Sequence, residues 1–240
     1  MTDEESLIQQ QIEYYRARSS EYDEWFLRMG RYDWGDEHRK QWFSEVAGVH
    51  KALESSKPGG NILELACGTG LWTKHLASHA GKLVAVDASR EAIEINRQRV
   101  ADDRVTYIEA DLFSWQPAER FDYLFFGFWL SHVPLLRFDE FWNNVADALT
   151  PEGKVFFVDS LFTPESTARD HASIDQSGRA RRKLNDGREY EIVKVFHEPS
   201  ELERKLVERS WDGYVRATGK FFLYGCVGRR KSKAGPLQHQ

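Results

Sequence analysis

The 240-residue chain carries 33 Lys and Arg against 38 Asp and Glu, 41% hydrophobic residues and two cysteines. That profile excludes disorder, a collagen-like chain and a disulfide scaffold. Four basic residues and no acid lie from Arg229 onward, leaving residues 1–228 with a net charge of −9, which repels a phosphate backbone. The length suits one domain with appendages. The first residues, Met1 to Ser6, are acidic where a secretory leader needs basic ones. The longest uncharged stretch, 123–136, falls short of the roughly 20 residues that a bilayer requires. The expectation is a cytoplasmic protein without a nucleic-acid or membrane partner. Cys67 and Cys226 have no CxxC or Cys/His spacing, so neither a zinc site nor a redox pair is expected.

In chain order, residues 1–57 read as helical. Ile8, Ile12, Tyr15 and Tyr22 form an approximate stripe, and Trp42, Val46, Val49 and Leu53 follow one helix face. Lys57-Pro-Gly-Gly stops that helix. Apolar runs beginning at Asn61, Lys82, Arg104, Phe121 and Lys154 then alternate with helical patterns over 71–79, 90–100 and 137–149. Strand runs without polar alternation, separated by helices, predict a parallel sheet buried on both faces. Residues 160–187 are polar, hold Arg179, Arg181, Arg182 and Lys183, and read as an insertion outside the sheet. A strand from Arg188, a helix opened by a Ser200-x-x-Glu203 capping box and a terminal hairpin over 213–227 complete the pattern.

The run Ile62-Leu-Glu-Leu-Ala-Cys-Gly-Thr-Gly70 ends a strand and opens a helix, where glycines let a ligand approach the backbone. A dinucleotide fingerprint needs a third glycine, but that position is Thr73; a P-loop needs Gly-Lys-Ser/Thr, but Leu71 and Trp72 follow Gly70. The loop therefore suits a nucleoside with a non-phosphate tail.

Glu64-Leu-Ala-Cys-Gly-Thr-Gly70 resembles motif I of the class I S-adenosylmethionine-dependent methyltransferases. The likeness extends over about residues 40–228 through Asp87 after the second strand, Asp111 after the third, Phe121-Asp-Tyr and Leu149-Thr-Pro-Glu-Gly-Lys. Ala66 departs from it, since many members have glycine there.

The resemblance implies an α/β, Rossmann-like fold: a doubly wound, seven-stranded, mostly parallel sheet with a C-terminal antiparallel hairpin. It implies S-adenosyl-L-methionine as cofactor and S-adenosyl-L-homocysteine as product. Asp87 and Ala88 would hold the ribose, and Asp111 and Leu112 the adenine. Glu64, Ala66, Cys67, Gly68, Gly70 and Phe126 would lie near the methionine moiety. A non-catalytic S-adenosylmethionine-binding protein and a nucleotide-dependent oxidoreductase are the alternatives.

The acceptor half is read from fewer signals. His132 follows the fourth strand and is the candidate base, or else packs locally. Tyr15 and Trp129 are candidate acceptor contacts, as are Arg169 and His171 within the insertion. Tyr14, Tyr15, Tyr22 and Trp25 suggest a lid. The run Phe126 to Pro134 lacks the paired prolines of nucleic-acid amine methylators in the family, so a small, aromatic O- or N-acceptor is expected. Neither Phe126 nor Phe128 supplies a metal ligand to partner Asp159, so no metal is expected; the oligomeric state stays open. The resulting organisation is a helical cap over 1–57, a methyltransferase domain over 58–228 with a substrate cap at 160–187, and a basic tail over 229–240.

Overall fold

The computed structural model describes residues 2–170 and 178–230. Five strands form in chain order: β1 (Asn61–Leu65), β2 (Lys82–Asp87), β3 (Val105–Glu109), β4 (Phe121–Gly127) and β5 (Leu149–Ser160). β6 (Arg179–Lys183) and β7 (Glu189–Val193) form a separate antiparallel pair, and β8 (Trp211–Ala217) and β9 (Phe222–Arg229) return to the main sheet. That sheet has seven strands in the order β3-β2-β1-β4-β5-β9-β8. The first five run parallel, and β9 is antiparallel to both β5 and β8.

The helices are α1 (Asp3–Arg18), α2 (Tyr22–Phe26), α3 (Asp36–Ser55), α4 (Thr73–Ala77), α5 (Arg90–Val100), α6 (Phe138–Asp147) and α7 (Pro199–Glu208). α3, α4 and α5 cover one face of the sheet, where Trp42, Val49, Leu76 and Ile93 meet Ile62, Leu83, Phe125 and Phe156. α6 and α7 cover the other, where Phe141, Trp142 and Leu206 meet Leu63, Val84, Phe126 and Phe157. Burial on both faces is why these strands read as unbroken apolar runs.

α1 stands apart from that sandwich. Thr2 and Glu5 form its capping box, and its first turn is acidic and its last basic, matching the helix dipole. Its contacts run to β7: Gln11 accepts from the backbone N–H of Val193 at 3.1 Å and donates to the carbonyl of His132 at 3.2 Å. Tyr14 packs in a small core of its own with Ala180, Leu184 and Ile192.

Three local expectations change. The 160–187 insertion is not wholly irregular: Arg179–Lys183 is a strand, and the cap is a hairpin reaching Val193. Its burial alternates, with Ala180 and Arg182 inside, a pattern masked by the run of charges. The Ser200 capping box does not form, because Pro199 opens α7 and Glu203 instead accepts from the N–H of Val215 at 2.8 Å. α6 ends at Asp147, and Leu149 begins β5. Among the described residues, no helix is long and apolar enough to cross a membrane.

Candidate active site

The parallel strands end at one edge of the sheet, and the loops there enclose a cavity of about 710 Å³. Ala66, Thr69, Asp87, Ala88, Asp111, Leu112, Gly127 and Trp129 line it, with Ile12 and Tyr15 of α1 closing it from above. Asp87 sits at the end of β2 with both carboxylate oxygens engaged by backbone: Gly68 N–H and Ser89 N–H each donate at 2.8 Å. Burial pushes its carboxyl upward while those N–H groups pull it down. Asp111 is held by an N–H from Phe113 at 3.0 Å.

The glycine loop is braced from beneath by Asn96 of α5. Its amide donates to the carbonyls of Cys67 at 3.3 Å and Gly68 at 3.2 Å and to the Thr73 hydroxyl at 2.8 Å. A Cβ on Gly70 would lie 2.5 Å from the Asn96 side chain, so only glycine fits there. Ala66 has φ +53°, a left-handed backbone that glycine adopts without strain. Glu64 lies under the loop, 1% exposed; burial pushes its carboxyl up to about 8, and one of its oxygens has no partner.

Expected residues divide accordingly. Ala66, Asp87, Ala88, Asp111, Leu112, Tyr15, Trp129 and His132 line this cavity. Glu64, Cys67, Gly68 and Gly70 support its floor and do not line it. Phe126 was expected near the methionine moiety through its backbone; its fully buried ring stacks on Phe157 and meets Phe141 and Trp142 in the core under α6. The next residues, Gly127 to Trp129, form the wall instead. Arg169 is exposed and does not line this cavity. His171 lies outside the described residues.

A second cavity of about 550 Å³ adjoins the first, and Tyr15, Tyr22, Phe128 and His132 line both. Phe128 has φ +58°, a strained backbone for a bulky residue, placed where the cavities meet. The far walls carry Arg18 from α1, Arg182 from β6, and Lys194 just past β7, together with Ser160, Tyr32 and Trp25. All three cations are buried. Among the described residues the carboxylate nearest to any of them is Asp159, 3.8 Å from Lys194. Burial lowers the Lys194 ammonium to about 8, although Asp159 opposes that shift. Arg18 lies over the rings of Tyr14, Tyr22 and Tyr32 and donates to Tyr32 at 3.3 Å.

His132 lies on the shared wall. Its Nδ1 is 2.7 Å from the carbonyl of Val193 and its Nε2 is 2.8 Å from the Tyr15 hydroxyl. Burial drives its pKa well below the usual imidazole value, and Lys194, Arg182 and Arg18 push it the same way. The Ser131 N–H on the same turn donates to Asp159 at 2.8 Å, and Lys194 donates to the Ser131 hydroxyl at 2.7 Å. Neither Arg18 nor Lys194 had a signal in the chain; Arg182 stood within the noted basic cluster.

Comparison with known proteins identifies the family of the chain. Residues 62–153 match the family model described as a methyltransferase domain. The structure superposes on a DhpI–SAM–HEP complex with a TM-score of 0.76 at 37% identity, covering 92% of this chain and 97% of that one. A DhpI–SAH complex gives 0.77 at 36%, covering 94% and 98%. The chain belongs to the S-adenosylmethionine-dependent methyltransferases. The N-methyltransferase NodS from Bradyrhizobium japonicum WM9, 16% identical over 78% of this chain and 88% of its own, shares the fold with a TM-score of 0.57. Among curated relatives, the probable thiol methyltransferase 2 of Arabidopsis thaliana is 30% identical over 37% of this chain and 42% of its own length. The cypemycin N-terminal methyltransferase of a Streptomyces species is 36% identical over 28% and 29%. The chain thus spans less than half the length of these two curated relatives.

S-adenosylmethionine is the cofactor of this methyltransferase, and the first cavity fits it. It is bordered by backbone and small residues on one side, with a half-buried carboxylate at Asp87. The Trp129 indole N–H there has no partner. The absence of a third glycine, with Thr73 buried and held by Asn96, agrees with a nucleoside lacking a pyrophosphate.

Proposed function

We propose that this methyltransferase methylates an oxygen of a small anionic acceptor such as a carboxylate, a phosphate monoester or a phosphonate. The observation that carries the reading is the trio Arg18, Arg182 and Lys194 around the second cavity, which meets the cofactor cavity at Tyr15, Tyr22, Phe128 and His132. Burying a cation without a counter-charge costs several kcal/mol, which a bound anion offsets. One carboxylate, Asp159, against three cations leaves room for a ligand of about two negative charges. The 37% identical relative was solved with SAM and HEP together, in keeping with a second ligand accompanying the cofactor.

Asp87 and Ala88 would hold the ribose of the cofactor, Asp111 and Leu112 its adenine, and the backbone around Gly68 and Gly127 the amino-acid end. Bound there, S-adenosylmethionine supplies an electrophilic methyl group. The chain's own task is alignment: the cations hold the acceptor, while Tyr22, Trp25 and Phe128 exclude water between the cavities. An ionised oxygen is nucleophilic by itself, so a base is needed only for a proton that the acceptor still carries. The aromatic run Phe126 to Trp129, which suggested an aromatic acceptor, supplies one core ring, the boundary ring of Phe128 and a wall of the cofactor cavity.

The test is a panel of carboxylates, phosphate monoesters and phosphonates beside neutral phenols, quinols and amines of equal size, with S-adenosylhomocysteine release as readout. Turnover with an oxyanion, at least a hundredfold above the neutral compounds, is expected. Turnover confined to neutral phenols, quinols or amines, and unchanged in Arg182→Met, would overturn the reading.

A further inference from the structure

We infer that Tyr15 is the group that takes a proton from the acceptor, passing its own phenolic proton to His132. The inference rests on the oxyanion reading of the same site. Its starting point is the direction of two hydrogen bonds. The carbonyl of Val193, 2.7 Å from His132 Nδ1, can only accept, so Nδ1 carries the ring's proton. Nε2 is then an acceptor, and the Tyr15 hydroxyl at 2.8 Å must donate to it. The Tyr15 oxygen is left with lone pairs alone, on a wall common to both cavities.

A phosphonate or phosphate monoester near neutral pH is partly a monoanion whose P–O–H still carries a proton. That hydroxyl finds an acceptor in Tyr15, across the cavity from Arg18, Arg182 and Lys194. As the bond from acceptor oxygen to methyl carbon forms, the sulfur–carbon bond breaks and its electron pair stays on sulfur. The acceptor proton moves to Tyr15 Oη, and the former phenolic proton moves to His132 Nε2. The sulfonium charge disappears as an imidazolium charge appears, so net charge is conserved. The imidazolium keeps its Nδ1–H bond to Val193.

The same geometry makes the relay depend on the acceptor. The charged and titratable groups around His132 are Tyr15 and Arg18 on α1, Arg182 on β6, Lys194 past β7, Asp159 on β5 behind Lys194, and His197 before α7. With the cavity empty, burial and the three cations hold His132 neutral. An anion among those cations offsets their field and makes Nε2 a better proton acceptor at the moment one is needed.

The test is nitrogen-15 NMR of histidine-labelled protein, with His132 assigned by its loss in His132→Gln and inorganic phosphate as probe. Calorimetry follows phosphate binding in the same buffer. Expected are a neutral Nδ1–H tautomer at pH 7, a change at Nε2 in Tyr15→Phe, and a His132 titration midpoint raised by at least one pH unit under saturating phosphate. An Nε2–H tautomer, or a midpoint indifferent to bound phosphate, would overturn the relay and leave the oxyanion reading standing. Failure of phosphate to bind would overturn both.

Discussion

The two cavities of this methyltransferase are neighbours built in different ways. The cofactor cavity comes largely from one stretch of chain: Ala66, Asp87, Asp111 and Trp129 follow successive strands, and a parallel βα arrangement brings those strand ends together. The second cavity, the proposed acceptor site, gathers Arg18 from the N-terminal helix, Phe128 and His132 past β4, Ser160 at the end of β5, and Arg182 and Lys194 from the inserted hairpin. The first is polar through backbone N–H groups and single carboxylates, the second through cations under aromatic rings. A shared nucleoside can be served by repeating geometry, whereas an acceptor is recognised by whatever the appendages bring.

The largest expected effect belongs to the cofactor side. With Asp87 holding the ribose as proposed, Asp87→Ala removes two charge-assisted hydrogen bonds to it, each worth about 1.5–3 kcal/mol. Calorimetry should show S-adenosylmethionine affinity down by at least a hundredfold, with phosphate binding in the other cavity within about threefold. Equal loss of both would mean that the cavities are one energetic unit.

Cofactor specificity gives the next effect. S-adenosylmethionine at 100 times its dissociation constant should stabilise the fold by about 2.7 kcal/mol. At roughly 2–4 °C per kcal/mol for a chain of this size, that is a melting shift of about 5–10 °C. NAD(H) should give none.

Arg182→Met is the mirror of the Asp87 experiment. Losing one charge-assisted contact of about 1.5–3 kcal/mol should cut kcat/KM for an oxyanion acceptor by roughly 10–150-fold. S-adenosylmethionine affinity should stay within threefold; a larger drop would place Arg182 in the cofactor site.

Lys194 adds a pH signature. Its folded value is about 8, below its ordinary 10.5, so above pH 8 the ammonium must regain a proton before it can hold an anion. Phosphate affinity should fall above pH 8, and binding there should take up protons. Stability runs the other way. Between pH 8 and 10.5 the unfolded chain holds the extra proton, so this residue makes unfolding harder as pH rises. Lys194→Met should remove both trends, and Asp87→Ala neither.

The smallest effect is local to the glycine loop. Ala66→Gly relieves a left-handed alanine, offset in part by the greater freedom of an unfolded glycine. A gain of up to about 1 kcal/mol is expected, seen as a melting temperature up by roughly 2–4 °C. A loss would mean that the Ala66 methyl group packs in the cavity wall by more than its strain costs.

The sheet, and the places of Asp87 and Asp111 at its edge, were legible in the chain because their signals are local. Unbroken apolar runs announce strands buried on both faces, and Asp87 and Asp111 are placed by following immediately on two of those runs. The place of the Phe126 ring was hidden for a physical reason: on a doubly covered strand successive side chains are buried on opposite faces, so the run itself does not say which ring lies on which face. The buried side of the insertion was hidden because Arg182 sits among other charges, and only pairing with β7 shows which of them turns inward. Arg18 and Lys194 lie 176 positions apart and carry no pattern relating them. Tertiary structure alone decided that they share a cavity, since α1 docks on β7 through Gln11 and Tyr14, and a site assembled by docking leaves no spacing for a linear reading to detect.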